Sequence, residues 1–194
     1  MWKELLPGLR IKLFMTVVLG VAYPLFMTGI SQALFSKKAN GSLIAVDGKT
    51  IGSELIGQNF ARPEYFHPRP SAAGDKGYDA ANSGGSNYGP TNQKLVDRVK
   101  DSIAQVRQEN PDYRGPIPVD LVTASASGLD PHLSPDSAGV QMARVAKARG
   151  VPAETVAGLV RQYTEGPALG VIGEPRVNVL LLNLALDRAA PIRK

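Results

Sequence analysis

The sequence contains no cysteine, which removes disulfides, thiolate zinc sites and cysteine nucleophiles at once and is compatible with either side of a bacterial membrane. Histidine is nearly as scarce. Only His67 and His132 occur, far apart, whereas a zinc site takes three or four ligands at characteristic spacings. No stretch gathers basic residues with aromatics between them: the net charge of +5 is scattered, with its longest tracts at Lys37-Lys38 and Arg193-Lys194, so no nucleic-acid partner is expected. With 43% hydrophobic and 20% charged residues the chain is neither a disordered tail nor a multi-span protein, and 194 residues suit one membrane segment plus one domain of ordinary size.

What is present begins with an uncharged run from Leu13 to Ser36. As a helix it is roughly 36 Å long, enough to cross a hydrocarbon core of roughly 30 Å with some tilt. It exceeds the h-region of a cleaved signal peptide, although Ser31-Gln32-Ala33 loosely fits a cleavage site, and it lacks the polar face of a buried core helix. The expected organisation is therefore a short tail over 1–12, a transmembrane helix over 13–36 and a soluble domain over 39–194. Lys3, Arg10 and Lys12 oppose Lys37, Lys38 and Lys49, so the positive-inside rule is nearly tied, with the free amino terminus tipping it toward N-inside. Within the span, Thr16, Gly20, Pro24 and Thr28 recur at i, i+4 and form a candidate helix-packing face, since small residues permit close approach and hydroxyls can bond across it.

The rest predicts a mixed α+β domain in which helices dominate. Leu43–Val46 is strand-like and ends at Asp47-Gly48, and Ser53 is expected to cap a short helix through Gln58. From Ala61 to Asn92 the chain is rich in Pro, Gly, Asn and Ser, so it is either disordered or a functional surface loop; Tyr65, Phe66, Tyr78 and Tyr88 argue for order. A helix follows, capped by Thr91 or Asn92, with an apolar stripe of Leu95, Val96, Val99, Ile103 and Val106. Pro118–Thr123 is expected as a strand. Ser134-Pro135-Asp136 opens a helix to about Arg149, stopped by Gly150, and Pro152 opens another that ends at Gly166-Pro167. VNVLLLNLALD suits a buried helix or a strand, with helix favoured.

Several motifs invite chemistry that their context does not support. Asp47-Gly48-Lys49-Thr50 lacks the glycine that a phosphate-binding loop needs at Leu43, and a tight turn is expected instead. Ser127, Asp130 and His132 suggest acyl transfer, yet no nucleophile elbow or oxyanion hole accompanies them; Asp130 and His132 are expected to brace a turn. Gly84–Pro90 has no ordered glycine spacing of the nucleotide-binding kind and suits a turned docking loop.

Three long, compositionally odd blocks carry a resemblance that covers nearly the whole chain: NFARPEYFHPRPSAAG with YDAANSGGSNYGPTN, then VDLVTASASGLDPHLSP with QMARVAKARG, then VNVLLLNLALD. The chain resembles the C subunit of the potassium-transporting P-type ATPase, the Kdp system. The resemblance implies a complex with a channel-like A subunit that selects K⁺, a B subunit that hydrolyses ATP and a very small F subunit. It also implies a single-pass protein of the bacterial inner membrane, with a cytoplasmic N-terminus and an extracytoplasmic domain, which resolves the orientation that charge leaves open. The family's chaperone-like role in raising the ATP affinity of the B subunit points to Gln141 as a nucleotide contact. Leu133–Gln141 is only loosely similar to the Leu-Ser-Gly-Gly-Gln signature of ABC transporters, with the glycine pair replaced and the spacing stretched. The expectation is a non-catalytic subunit that assembles and stabilises its partners, with no intrinsic cofactor and ATP reached only through the complex. The alternatives are direct nucleotide contact through Gln141 and a membrane-anchored hydrolase built on Ser127, Asp130 and His132.

Overall fold

The computed structural model describes residues 2–192, so Met1 and the basic pair Arg193-Lys194 lie outside the described residues. The chain forms two compact units, one up to Ile51 and one from Gly52. The first is dominated by a helix in three parts: α1 (Trp2–Val17), a π turn (Val18–Ala22) and α2 (Tyr23–Ala39). Residues 2–12, expected as a tail, continue this helix. Its Lys3–Ala39 stretch is long and apolar enough to cross a membrane, and none of its most apolar window is buried. The π turn, in which the Tyr23 N–H donates to the Val18 carbonyl, immediately precedes Pro24. A proline lacks an N–H and its ring collides with the carbonyl four residues back, here Gly20, and widening the preceding turn relieves both. After the helix, β1 (Leu43–Val46) and β2 (Lys49–Ser53) form a hairpin whose two turn residues, Asp47 (φ 51°) and Gly48 (φ 76°), carry the paired positive φ of a type I′ turn. The expected tight turn is thus present, and the boundary between the units falls within β2, between Ile51 and Gly52, rather than at residue 39.

The second unit packs four helices around a small sheet. Asn92 caps α3 (Gln93–Glu109) by accepting from the Lys94 N–H, and Ser134 caps α4 (Pro135–Arg149) by accepting from the Ser137 N–H. Gly150, at φ 65°, stops α4, after which α5 (Ala153–Gln162) runs back along it. The sheet is antiparallel in the order β3 (His132–Leu133), β5 (Arg176–Asn178), β4 (Thr164–Glu165), with Leu133 and Thr164 both opposite Val177. β5 leads directly into α6 (Val179–Ala189), so VNVLLLNLALD is a strand end followed by a helix. Asn178 is the joint: it ends the strand, caps α6 by accepting from the Leu181 N–H and donates to the Glu54 carbonyl.

Three further expectations fail. The helix that Pro152 opens ends at Gln162 rather than at Gly166-Pro167, because Thr164 and Glu165 pair with β5 as β4. Pro118–Thr123 is not a strand but a 3₁₀ turn (Val119–Leu121), because Asp120 is turned to the N-terminus of α4, where its carboxylate accepts from the Ser134 N–H at 2.8 Å and from the Ser137 hydroxyl. A carboxylate there meets the positive end of the helix dipole. Ser53 caps no helix: it ends β2 and its hydroxyl accepts from the Leu55 N–H in a local turn. Irregular chain over 61–92 is nevertheless ordered, and Phe66 in it is fully buried in the core with Leu133, Val145, Val156, Leu182 and Leu186.

One glycine is required twice over. Gly128 has φ 66°, and a Cβ there would meet Ala73 and the Gly84 carbonyl at 2.8 Å, whereas Gly150 has φ 65° with open space around it. Gly150→Ala should therefore cost about 1–2 kcal/mol, from backbone strain alone, and Gly128→Ala about 2–4 kcal/mol, from strain plus collision. Denaturant unfolding of the two variants measures the difference.

Candidate functional site

A segment with no regular secondary structure has to find partners for each buried backbone group among side chains. Residues 63–67 do so in sequence. The Pro63 and Tyr65 carbonyls accept from Arg144 at 2.6 and 3.0 Å, and the Glu64 carbonyl accepts from Arg149 at 2.7 Å. The Phe66 carbonyl accepts from Asn183 at 3.0 Å, and the His67 carbonyl accepts from Gln141 at 3.1 Å. The same carboxamides return the bond, with Asn183 accepting from the Phe66 N–H at 2.9 Å and Gln141 from the His67 N–H at 2.8 Å. Side chains of α4 and α6 thus treat this stretch as a neighbouring strand would.

The clamp is charged and buried. The Arg149 side chain is fully buried; it also donates to the Ala190 carbonyl and to Asp187 at 2.9 Å, and its guanidinium lies 5.0 Å from the centre of the Tyr65 ring. Tyr65 in turn donates to Asp187, and burial followed by the Asp187 charge raises its hydroxyl above the ordinary phenol range. Burial lowers Arg144 below the usual guanidinium range. Beside it, His67 Nδ1 lies 3.0 Å from Glu109 and Nε2 lies 3.0 Å from the Arg62 carbonyl. The hydrogen bond to His67 is the largest of the effects that hold Glu109 below its ordinary value. An open groove of about 370 Å³ borders these groups, lined in part by His67, Arg69, Tyr78, Glu109 and Gln141.

The second half of the loop is fixed to the segment 123–130. Arg69 pairs with Asp130 at 2.8 Å, Ser71 donates to the Gly128 carbonyl, and Ser83 and the Gly84 N–H both donate to the Ser127 carbonyl. Burial, then the nearby Asp130 charge, pushes the Tyr78 hydroxyl far up, and it donates to the Arg69 carbonyl. Burial opposes ionisation of Asp130, but bonds from His132 and Arg69 outweigh it and hold the carboxyl below its usual range.

The predicted site residues are placed as follows. Gln141 is 2% exposed, and both atoms of its carboxamide are engaged within the chain. Ser127 accepts from the Leu129 N–H, while His132 contacts Asp130, which also accepts from the His132 N–H: this is a braced turn. Thr16, Gly20, Pro24 and Thr28 lie along the long helix, with the Thr16 hydroxyl bonded back to the Lys12 carbonyl at 2.8 Å. In an unbroken α-helix the three i, i+4 steps from Thr16 to Thr28 drift by about 120° in all. A single π turn takes up one residue of rotation and brings Thr16, Pro24 and Thr28 to within about 20° of one line. Arg144, Arg149, Asn183 and Asp187 were not singled out from sequence. Asn183 carried a signal, as the one polar side chain inside an apolar run, but its partner is 117 positions away.

The family model of the K⁺-transporting ATPase c chain matches residues 5–188. The chain is 56% identical to the potassium-transporting ATPase KdpC subunit of Nitratidesulfovibrio vulgaris, over 94% of this chain and 93% of that one. It is 53% identical to the subunit of the same name in Koribacter versatilis, over 99% and 98%, and 56% identical to that of Myxococcus xanthus, over 97% and 89%.

Asn183→Ala would leave the Phe66 N–H and carbonyl buried without partners, at about 1–3 kcal/mol for each. Hydrogen exchange should quicken at Phe66 and His67 well before α5 is affected. Acid should act on the same region. Glu109 and Asp130 bind a proton more weakly folded than unfolded, so they stabilise the fold above the unfolded value near 4 and cease to as pH falls through the depressed folded values. Denaturation midpoints are expected to fall below about pH 4.5, and Glu109→Gln should flatten that fall.

Proposed function

The chain belongs to the family of the K⁺-transporting ATPase C chain, and from that membership we propose that it is a non-catalytic subunit that assembles and stabilises the complex. Its partners are the K⁺-selecting A subunit, the ATP-hydrolysing B subunit and the small F subunit. The long N-terminal helix spans the bacterial inner membrane with its N-terminus in the cytoplasm, and the domain from Gly52 lies outside. The observation that supports assembly over catalysis is the use made of the polar groups. Gln141, Arg144, Arg149 and Asn183 hold the chain's own backbone between residues 63 and 67. They stiffen a surface instead of presenting themselves to a ligand, and a stiff surface is what a docking subunit needs.

The span contributes a second contact through Thr16, Gly20, Pro24 and Thr28. Between helices in lipid, association depends on close packing and hydrogen bonds. A Cβ on Gly20 would meet only Thr16 Cγ2 at 3.8 Å within its own helix, so a larger residue there obstructs a neighbour rather than the helix itself.

With the tagged chain as bait in detergent, Gly20→Leu should lower recovery of the other subunits about fivefold or more, while Val18→Phe on the far side leaves it unchanged. Gln141→Ala should lower recovery and thermal stability but leave the KM for ATP of the assembled complex as in wild type. A raised KM with normal recovery would instead favour direct nucleotide contact.

A further inference from the structure

The segment between β4 and β5 ends in a tight hairpin at residues 167–173. The Ala168 N–H donates to the Ile172 carbonyl at 2.8 Å, the Ala168 carbonyl accepts from the Ile172 N–H at 2.9 Å, and the Gly170 N–H donates to the Pro167 carbonyl. The tip is therefore held in one shape. It is also apolar: Leu169 is 90% exposed, Val171 83% and Ile172 60%.

Leu169 is doubly unfavourable in this chain. It has φ 54° at the first central position of a turn whose second is Gly170 at φ 77°, a pairing that Asn, Asp and Gly adopt readily and branched apolar residues resist. The backbone strain and the exposed isobutyl group have no compensation within the fold, where Leu169 buries almost nothing.

We propose that this tip is a plug that seats in an apolar pocket of a partner subunit, a docking point separate from the membrane helix; the proposal rests on the assembly reading. Its chemistry separates it from a lipid-binding loop. Membrane-surface segments combine apolar residues with Trp, Tyr, Lys or Arg. Here the flanking charges are Glu165, Glu174 and Arg176, and Arg176 is paired with Glu165 at 3.1 Å, so the rim lacks the excess of Lys and Arg that a membrane-surface segment carries. Three side chains also fall far short of the roughly 1,200–2,000 Å² of a self-sufficient interface, so the tip cannot by itself join two copies of the chain. A small contact suffices only for a partner already held nearby, where the local concentration is high.

Leu169→Asn tests this, because Asn suits the turn better than Leu. The full-length variant, purified alone in detergent, should melt at or above the wild-type midpoint, while its recovery of partner subunits as bait falls about tenfold or more. With Val171 replaced by the photoreactive benzoylphenylalanine, irradiated complexes should yield an adduct with a subunit of the transporter, identified by mass spectrometry. A lowered midpoint, undiminished recovery, or adducts with lipid or with a second copy alone would overturn the plug. A wild-type bait that recovers no partner would overturn the assembly reading itself, whereas wild-type recovery undiminished by Leu169→Asn would overturn only the plug.

Discussion

The constraint on which the second unit depends is that an irregular stretch runs through its interior. Phe66 brings a fully buried ring into the core, and with it come backbone groups that no helix or sheet satisfies. The Phe66 N–H and carbonyl are among these groups, and the carbonyls of Glu64, Tyr65 and His67 are partly buried beside them; at about 1–3 kcal/mol for each unpaired buried group, leaving them bare would remove a large share of a domain's net stability. Arg144, Arg149, Asn183 and Gln141 meet that demand between them. The positions of α4 and α6 follow, since each must bring its donors to the same short segment.

The division of labour among those four residues follows their chemistry. Asn183 and Gln141 each offer a donor and an acceptor side by side, which matches the N–H and carbonyl of one residue. Arginine offers a fork of donors and no acceptor, and both arginines go to carbonyls. Burying a guanidinium requires compensation: Arg149 has Asp187 and the Tyr65 ring, while Glu109 favours the charge on Arg144 against the desolvation that opposes it. Because the three blocks that resemble the family are those that meet in this clamp, their odd composition has a physical reading. Such sequences specify a bonded network rather than a periodic element.

Legibility in the sequence tracks the range of the interaction that decides each feature. Asn92, Ser134 with Pro135, and Gly150 act within a few residues of themselves, and the helices they bound are where the sequence places them. The Asp47-Gly48 turn is local in the same way. Pro118–Thr123 misleads because its β-branched residues look alike whether or not a strand lies beside them, and the deciding residue, Asp120, answers to a helix start 14 positions on. Gln141 shows the same limit of range: nothing near it in the sequence announces that its carboxamide pairs with the backbone of His67, 74 positions back. The apolar tip at Leu169 is invisible as a pattern, since exposure and positive φ are facts of the fold.

The span of chain between partners also sets the order in which the molecule can be completed. Phe66 and Asn183 are 117 residues apart, and Tyr65 and Asp187 are 122 apart. At synthesis rates of about 5–20 residues per second, the early segment waits roughly 6–25 s for the helix that receives it. During that interval Phe66 and its neighbours have no native shelter. The loop is thus the first part of the domain to emerge and among the last to settle, and the final helix acts as the closing stitch of the whole unit.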